Sequence, residues 1–296
     1  MASAPPIDTK APRRSPADAV PPVVLVMAAI GSVQFGAALA ATLFDELGPA
    51  GTVFLRLLFA AIVLVIAWRP RLAGLARSEL RLAVLFGLTL AGMNLAFYLS
   101  IDRIPLGIAV TYEFVGPLGV AVAYSRSRLD ALWVALAACG ILLLSGGGLG
   151  GDALGAALAL LAGAFWAAYI LLSARAGQVF PGGSGLAIAM VVGAAVLVPV
   201  GVVDAGDALL DPRLLALGAG VAMLSSAIPY SLELEALRRL PAGVFGVLMS
   251  MEPAVAALAG FLVLDQELSE LELVAILLVV AASVGATRSS QRVPRD

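Results

Sequence analysis

Glu113 and Glu252 stand out chemically in this chain of 296 residues. Each is the lone carboxylate of a long apolar run. An ionised acid in hydrocarbon is costly, so one kept there is by default a functional-site candidate. Neutral, such an acid holds a proton; charged, it can hold an ammonium group. Alternation between the two would couple their movements. The two runs share a design. Arg103 and Pro105 open the first, and Pro117 follows twelve residues after Pro105. Arg239 and Pro241 open the second, with Pro253 again twelve residues on. The structural alternative is an acid hydrogen-bonded to a neighbouring helix or to Arg56.

Arg56 is the one base inside a predicted span. Its planar fork could clamp a carboxylate. The plainer reading makes it a counter-charge to a glutamate or a side chain snorkelling outward, and that reading is preferred. Gln34, Asn94, Tyr98, Tyr230 and Ser231 are polar positions in otherwise apolar runs. They suit either a cavity wall or ordinary glue between membrane helices, with glue the preferred reading for Tyr98 and Ser231. Trp166 and Tyr169, three residues apart, share a helix face that could line a cavity or meet the lipid interface. Glu233 and Glu235 lie near Arg238 and Arg239 and read as interfacial ion pairs.

Absences narrow the chemistry. The chain has no histidine and a single cysteine, Cys139. That excludes histidine-based catalysis, a disulfide framework and a thiol metal site. No metal or cofactor is expected, and no catalytic cluster points to an enzyme. The glycine-rich run 145–151 lacks the Lys-Ser/Thr of a phosphate-binding loop. No feature suggests nucleic acid as a partner.

The elements that must carry these residues follow from composition. The chain is 61% hydrophobic and only 13% charged, against about a quarter charged in soluble domains. Ten spans of membrane-crossing length can be drawn, at 22–42, 49–68, 81–100, 105–124, 130–148, 153–173, 184–203, 213–232, 241–264 and 270–287. Residues 1–20 read as a disordered cytoplasmic tail, 21–148 and 149–287 as two five-span halves, and 288–296 as a second cytoplasmic tail.

Loop charge sets the orientation. With the N-terminus inside, fifteen of the eighteen Lys and Arg residues fall on the cytoplasmic side. Only Arg103 and Arg213 fall outside, so both termini are expected in the cytoplasm. Five spans per half is odd, so the second half enters the membrane upside down, as in inverted-repeat transporters. Gly31 to Gln34 would then match Gly163 to Trp166. Glu113 lies about 12 Å and Glu252 about 16 Å from opposite helix ends, so both fall near mid-depth. Proline alignment places Glu113 opposite Met249 and Gly116 opposite Glu252, so the acids are not repeat equivalents.

Several segments resemble a known family. Ser32 to Ala37, Met93 to Ser100, Pro105 to Val110, Glu113 to Leu118, Pro229 to Glu233 and Leu248 to Pro253 are similar to the EamA branch of the drug/metabolite transporter superfamily. Within it they resemble most the bacterial threonine/homoserine exporters. The resemblance spans about residues 22–287. It implies a basket of ten helices around a central cavity in the bacterial inner membrane, open alternately to each side, with export of small amino acids; competition of proton and ammonium for the glutamates would make that export a proton antiport. It also implies dimer contacts on spans 5 and 10, where Ala131, Ala135 and Cys139, and Ala281 and Gly285, recur at spacing four; internal packing explains them as well. Tyr112 departs from the pattern, placing a phenol beside Glu113. Export or import of another metabolite, such as a purine, a vitamin or a nucleotide-linked compound, is the alternative.

Overall fold

In hydrocarbon no water receives backbone N–H and C=O groups, so an apolar chain satisfies them internally as helix. The computed structural model follows that rule. It describes residues 20–71, 74–124, 129–144, 152–237, 239, 240, 245 and 248–291, and no strand occurs among the described residues. The helices are α1 (Pro22–Ala41), α2 (Phe44–Trp68), α3 (Arg77–Ile101), α4 (Leu106–Glu113), α5 (Val115–Tyr124) and α6 (Asp130–Leu144). They continue with α7 (Ala153–Val179), α8 (Ser184–Ala205), α9 (Pro212–Ala222), α10 (Ile228–Leu237), α11 (Glu252–Leu264) and α12 (Glu270–Gln291). The expected N-terminal tail, the glycine-rich run 145–151, and Arg126, Arg128, Arg238, Arg292 and Arg295 lie outside the described residues.

Six helical stretches are long and apolar enough to cross a membrane, and three shorter apolar helices accompany them. The outward faces are apolar too: Ile66, Val196, Val200, Leu262 and Leu277 are all exposed. A belt of this kind suits lipid as the solvent. The protein is an all-α polytopic membrane protein.

Packing runs mainly between the first six helices and the last six. α2 lies along α8, α3 packs against both α7 and α8, and α6 packs on α12. α1 contacts α10 and α11, while α4 contacts α11 and α7. On α12, Gly285 takes the ring of Trp133 from α6. Ala131, Ala135 and Cys139 of α6 stay exposed.

Charge separates the two ends of the bundle. Arg69, Arg71, Arg77, Arg81, Arg175, Arg239 and Arg288 gather at one end. At the other end Arg103 pairs with Asp152 at 3.0 Å and Arg213 with Glu46 at 3.2 Å. Asp152 also caps α7, and the N–H of Gly155 with the Arg103 guanidinium holds its carboxyl below the usual carboxylate range.

That second end is joined by backbone capping between helices. α2 breaks at Gly48, whose φ of 68° is left-handed and favours glycine. Pro49 restarts the helix, but Gly48 has no side chain to cap it. Asp204 from α8 supplies the cap, accepting from Ala50 N at 2.8 Å and Gly51 N at 3.3 Å. Gln266 does the same for α4, accepting from Leu106 N at 2.9 Å. Asp204→Ala is expected to lower stability by about 1 kcal/mol, the usual worth of an N-cap. Thermal unfolding of the purified protein in detergent checks this, and an unchanged midpoint would show that water caps the helix equally well.

Candidate functional site

Three prolines break helices around one central space. Pro117 has no N–H to return to the carbonyl of Glu113, and α4 ends at Glu113. Pro253 stands in the first turn of α11, where its missing donor costs nothing, so α11 begins at Glu252. Pro229 cannot bond the carbonyl of Ser225, and the chain widens there into a π-helical turn, Met223–Ala227. The two acids therefore sit at helix ends, where the apolar pattern of the sequence suggests continuous spans.

The freed backbone groups find side-chain donors. Ser225 O accepts from Arg56 Nη2 at 2.9 Å, and Leu224 O accepts from Ser32 Oγ at 2.6 Å. Gly36 lets α1 lie against this turn, since a Cβ there would collide with Ser225. Gly163 similarly brings α7 against the Glu113 carbonyl, where a Cβ would stand 2.5 Å from the oxygen.

The space enclosed is about 120 Å³. Gln34 comes from α1, Arg56 from α2, Asn94 from α3 and Glu113 from α4. Trp166 and Tyr169 come from α7, Ser225 from the π turn, Tyr230 and Glu233 from α10, and Glu252 from α11. Val33, Ala37, Met93, Phe97 and Met249 complete an apolar lining.

Arg56 is 7% exposed and does not snorkel. Its remaining contacts are Nε to Ser226 Oγ at 3.3 Å and Nη1 to the Tyr98 hydroxyl at 3.2 Å. The Tyr98 ring lies below its guanidinium, 5.5 Å away. All three hydrogen-bond partners are neutral. Among the described residues no carboxylate forms an ion pair with Arg56, although Glu113 lines the same cavity. Three of its five donors are used, leaving one on each Nη nitrogen. Tyr98 is fully buried behind Arg56 and outside the cavity wall, braced by Phe44 and Phe97.

Asn94 donates its amide to Leu90 O at 2.9 Å. Gln34 Oε1 and Ser225 Oγ are buried without a hydrogen-bond partner among the described residues. A buried acceptor left in that state costs about 1–3 kcal/mol unless something polar enters. Trp166 stands edge-on to Phe114, ring centroids 5.3 Å apart. Tyr169 packs on Phe86 at 5.4 Å and meets Tyr230. These two aromatics are cavity wall, not lipid interface. Tyr112 is buried in the core and leaves the cavity free.

One expectation needs correction. Glu235 does pair with Arg239, at 2.6 Å. Glu233, two residues earlier, points the other way on the helix and lines the cavity. Sequence reasoning also passed over Ser225; the Ser225-Ser226 pair just before Pro229 is the signal that would have found it. Glu252 lines the same cavity as Glu233 and Glu113. The acids do not converge into a metal-ligand cluster, and no such cluster occurs among the described residues.

The comparisons with known proteins agree in direction. Residues 153–288 match the model of the EamA-like transporter family. The threonine/homoserine exporter RhtA of Salmonella typhimurium (strain SL1344) is 46% identical over 278 residues, covering 93% of this chain and 94% of that protein. The threonine/homoserine exporter RhtA of Escherichia coli (strain K12) is 46% identical over 272 residues, covering 90% and 91%. A solved crystal structure superposes with a TM-score of 0.55 over 93% of this chain and 98% of its own, at 19% identity. At that identity the likeness concerns the fold.

Proposed function

The chain belongs to the EamA-like transporter family, and from that premise we propose that it exports small zwitterionic amino acids such as threonine or homoserine in exchange for protons. The observation that carries the reading is Arg56: a buried guanidinium at the cavity wall, whose partners among the described residues are all neutral, with Glu113 and Glu252 in the same small space. A zwitterion has one group for each. Its carboxylate takes the two remaining Arg56 donors bidentately. Its ammonium takes a glutamate, displacing the proton held there. Gln34 Oε1 and Ser225 Oγ are open to further bonds from the substrate. The proton taken up again when the amino acid leaves is what couples the two fluxes.

The volume argues for the same class. About 120 Å³ suits a small solute, whereas pockets for drug-sized ligands measure roughly 300–1,000 Å³. This disfavours nucleotide-linked compounds and other large metabolites as cargo.

Orientation and symmetry belong to the same proposal. The arginine-rich end is the cytoplasmic one by the positive-inside rule, with both termini inside and the bacterial inner membrane as the site of action. Residues 21–148 and 149–287 are read as inverted five-span repeats. The packing supports this: α2 on α8, α6 on α12 and α4 on α11 each join equivalent spans, and α3 on α7 is answered by α1 on α10. A homodimer would use the exposed Ala131, Ala135 and Cys139 face of α6, because Gly285 is already filled by Trp133.

The test is uptake of labelled threonine or homoserine into inverted membrane vesicles, whose cytoplasmic face is outward. Uptake should be saturable and rise several-fold when the lumen is acidified. Saturable uptake indifferent to the gradient would remove the proton coupling. No saturable uptake of either amino acid would remove the substrate class.

A further inference from the structure

A second cavity, of about 370 Å³, lies on the arginine-rich side of the first. It opens between α2, α3, α7, α8 and α10. Trp68 at the end of α2 walls it, stacked over Gly182 and Gly183 in the turn between α7 and α8. Leu64, Phe86 and Leu186 make the rest largely apolar. Three residues line both cavities: Tyr169, Tyr230 and Glu233. They form the partition between them.

Glu233 is the one charged residue lining this outer chamber among the described residues. It stands about 6 Å from the last residue of α10 by the helical rise. Tyr230 lies one turn further in, on the same face. Glu235, facing away, holds Arg239. Glu252 and Glu113 line the central cavity but not this chamber, whereas Glu233 lines both. The carboxylates thus lead from Glu233 at the partition to Glu252 and Glu113 at the centre.

We infer that Glu233, with the phenol oxygens of Tyr169 and Tyr230, forms an entry subsite that captures the ammonium group of an incoming amino acid before it reaches the central cavity. The inference rests on the proposed function and adds a second binding position to it. The apolar chamber leaves a primary ammonium one charged acceptor, and two phenol oxygens supply the other hydrogen bonds it needs. Transfer to the central glutamates then requires passage only past the Tyr169–Tyr230 partition. A neutral solute gains nothing from this station, so it also selects for cationic groups.

The experiment uses the full-length protein in inverted and right-side-out vesicles, with labelled threonine as the probe. Glu233→Gln should raise KM at the cytoplasmic face about tenfold, the worth of one charge-assisted hydrogen bond. Measured from the outer face, KM should stay within about twofold while the maximal passive rate falls, because in the absence of a gradient Vmax/KM must be equal in the two directions. Equal rises in KM at both faces would make Glu233 part of the central site and overturn the inference. A fall in rate at both faces with KM unchanged would make its role structural and overturn the inference too. If Glu233→Gln fails to insert, Glu233→Asp carries the test. The shortened acid should raise only the cytoplasmic KM, by about threefold, and no sided effect overturns the subsite. Wild-type vesicles with no saturable threonine uptake would sink the proposed function and the subsite together, whereas a saturable wild type with an unaltered Glu233→Gln sinks the subsite alone.

Discussion

Glu113→Gln is expected to abolish proton-driven amino-acid export, by at least about 100-fold, while leaving the protein folded and inserted. Glutamine keeps the shape of the side chain and its capacity for hydrogen bonds. It cannot ionise, so it can neither release a proton to the substrate nor pair with an ammonium. Glu113 is buried at the end of α4, where Pro117 has already broken the helix, so the amide introduces no new backbone strain. Were the acid only glue between helices, its replacement would cost on the order of 1 kcal/mol, or about fivefold. The two readings therefore differ by more than an order of magnitude. The measurement is flux driven by a pH gradient in reconstituted vesicles, with insertion checked by monodisperse elution in detergent. A wild-type rate with wild-type pH dependence would leave Glu113 a structural acid.

The second large effect is expected at Arg56. Arg56→Lys should raise KM for the amino acid by about 10- to 100-fold, the loss of one charge-assisted hydrogen bond at about 1.5–3 kcal/mol. Lysine keeps the positive charge, so any role as a distant counter-charge to Glu113 survives. What it loses is the fork. The three bonds to Ser225 O, Ser226 Oγ and the Tyr98 hydroxyl fix the plane of the guanidinium. With that plane fixed, a donor remains on each Nη for the two oxygens of one carboxylate. An ammonium is a point charge on a flexible stem and cannot reproduce this. Initial-rate kinetics in vesicles separate the cases: a KM within about threefold of wild type would return Arg56 to the role of counter-charge.

Both variants touch a helix broken by proline. Proline removes a backbone donor and the orphaned carbonyl or helix end stays inside the bundle; at Ser225 a side chain from another helix answers it. Helix ends are where irregular backbone is tolerated at membrane depth, provided that it lines a cavity. Ser225 O is the best example. It is free because Pro229 follows four residues later, and it is bonded because Arg56 reaches it from α2.

The amino-acid sequence by itself determined the solvent, the helical class and the residues worth testing. A run of about twenty apolar residues has few options in a bilayer, and a lone acid or base inside it is costly enough to mark itself. Gln34, Arg56, Asn94, Glu113, Trp166, Tyr230 and Glu252 were all legible in that way, because rarity in an apolar helix is a one-dimensional signal. Direction was not legible. Tyr98 and Arg56 carried similar marks, yet Tyr98 stands behind Arg56 and only Arg56 reaches the cavity wall. Glu233 and Glu235 looked like one interfacial pair, yet about 200° of helical rotation sends one to the cavity and the other to Arg239. The breaks at Glu113 and Glu252 depended on which neighbour would accept a freed backbone group, and the Asp204 cap on α2 joins residues 154 positions apart. Only the tertiary structure decides such matters, because each rests on the rotation of one helix against another and on contacts between halves of the chain that no local pattern records.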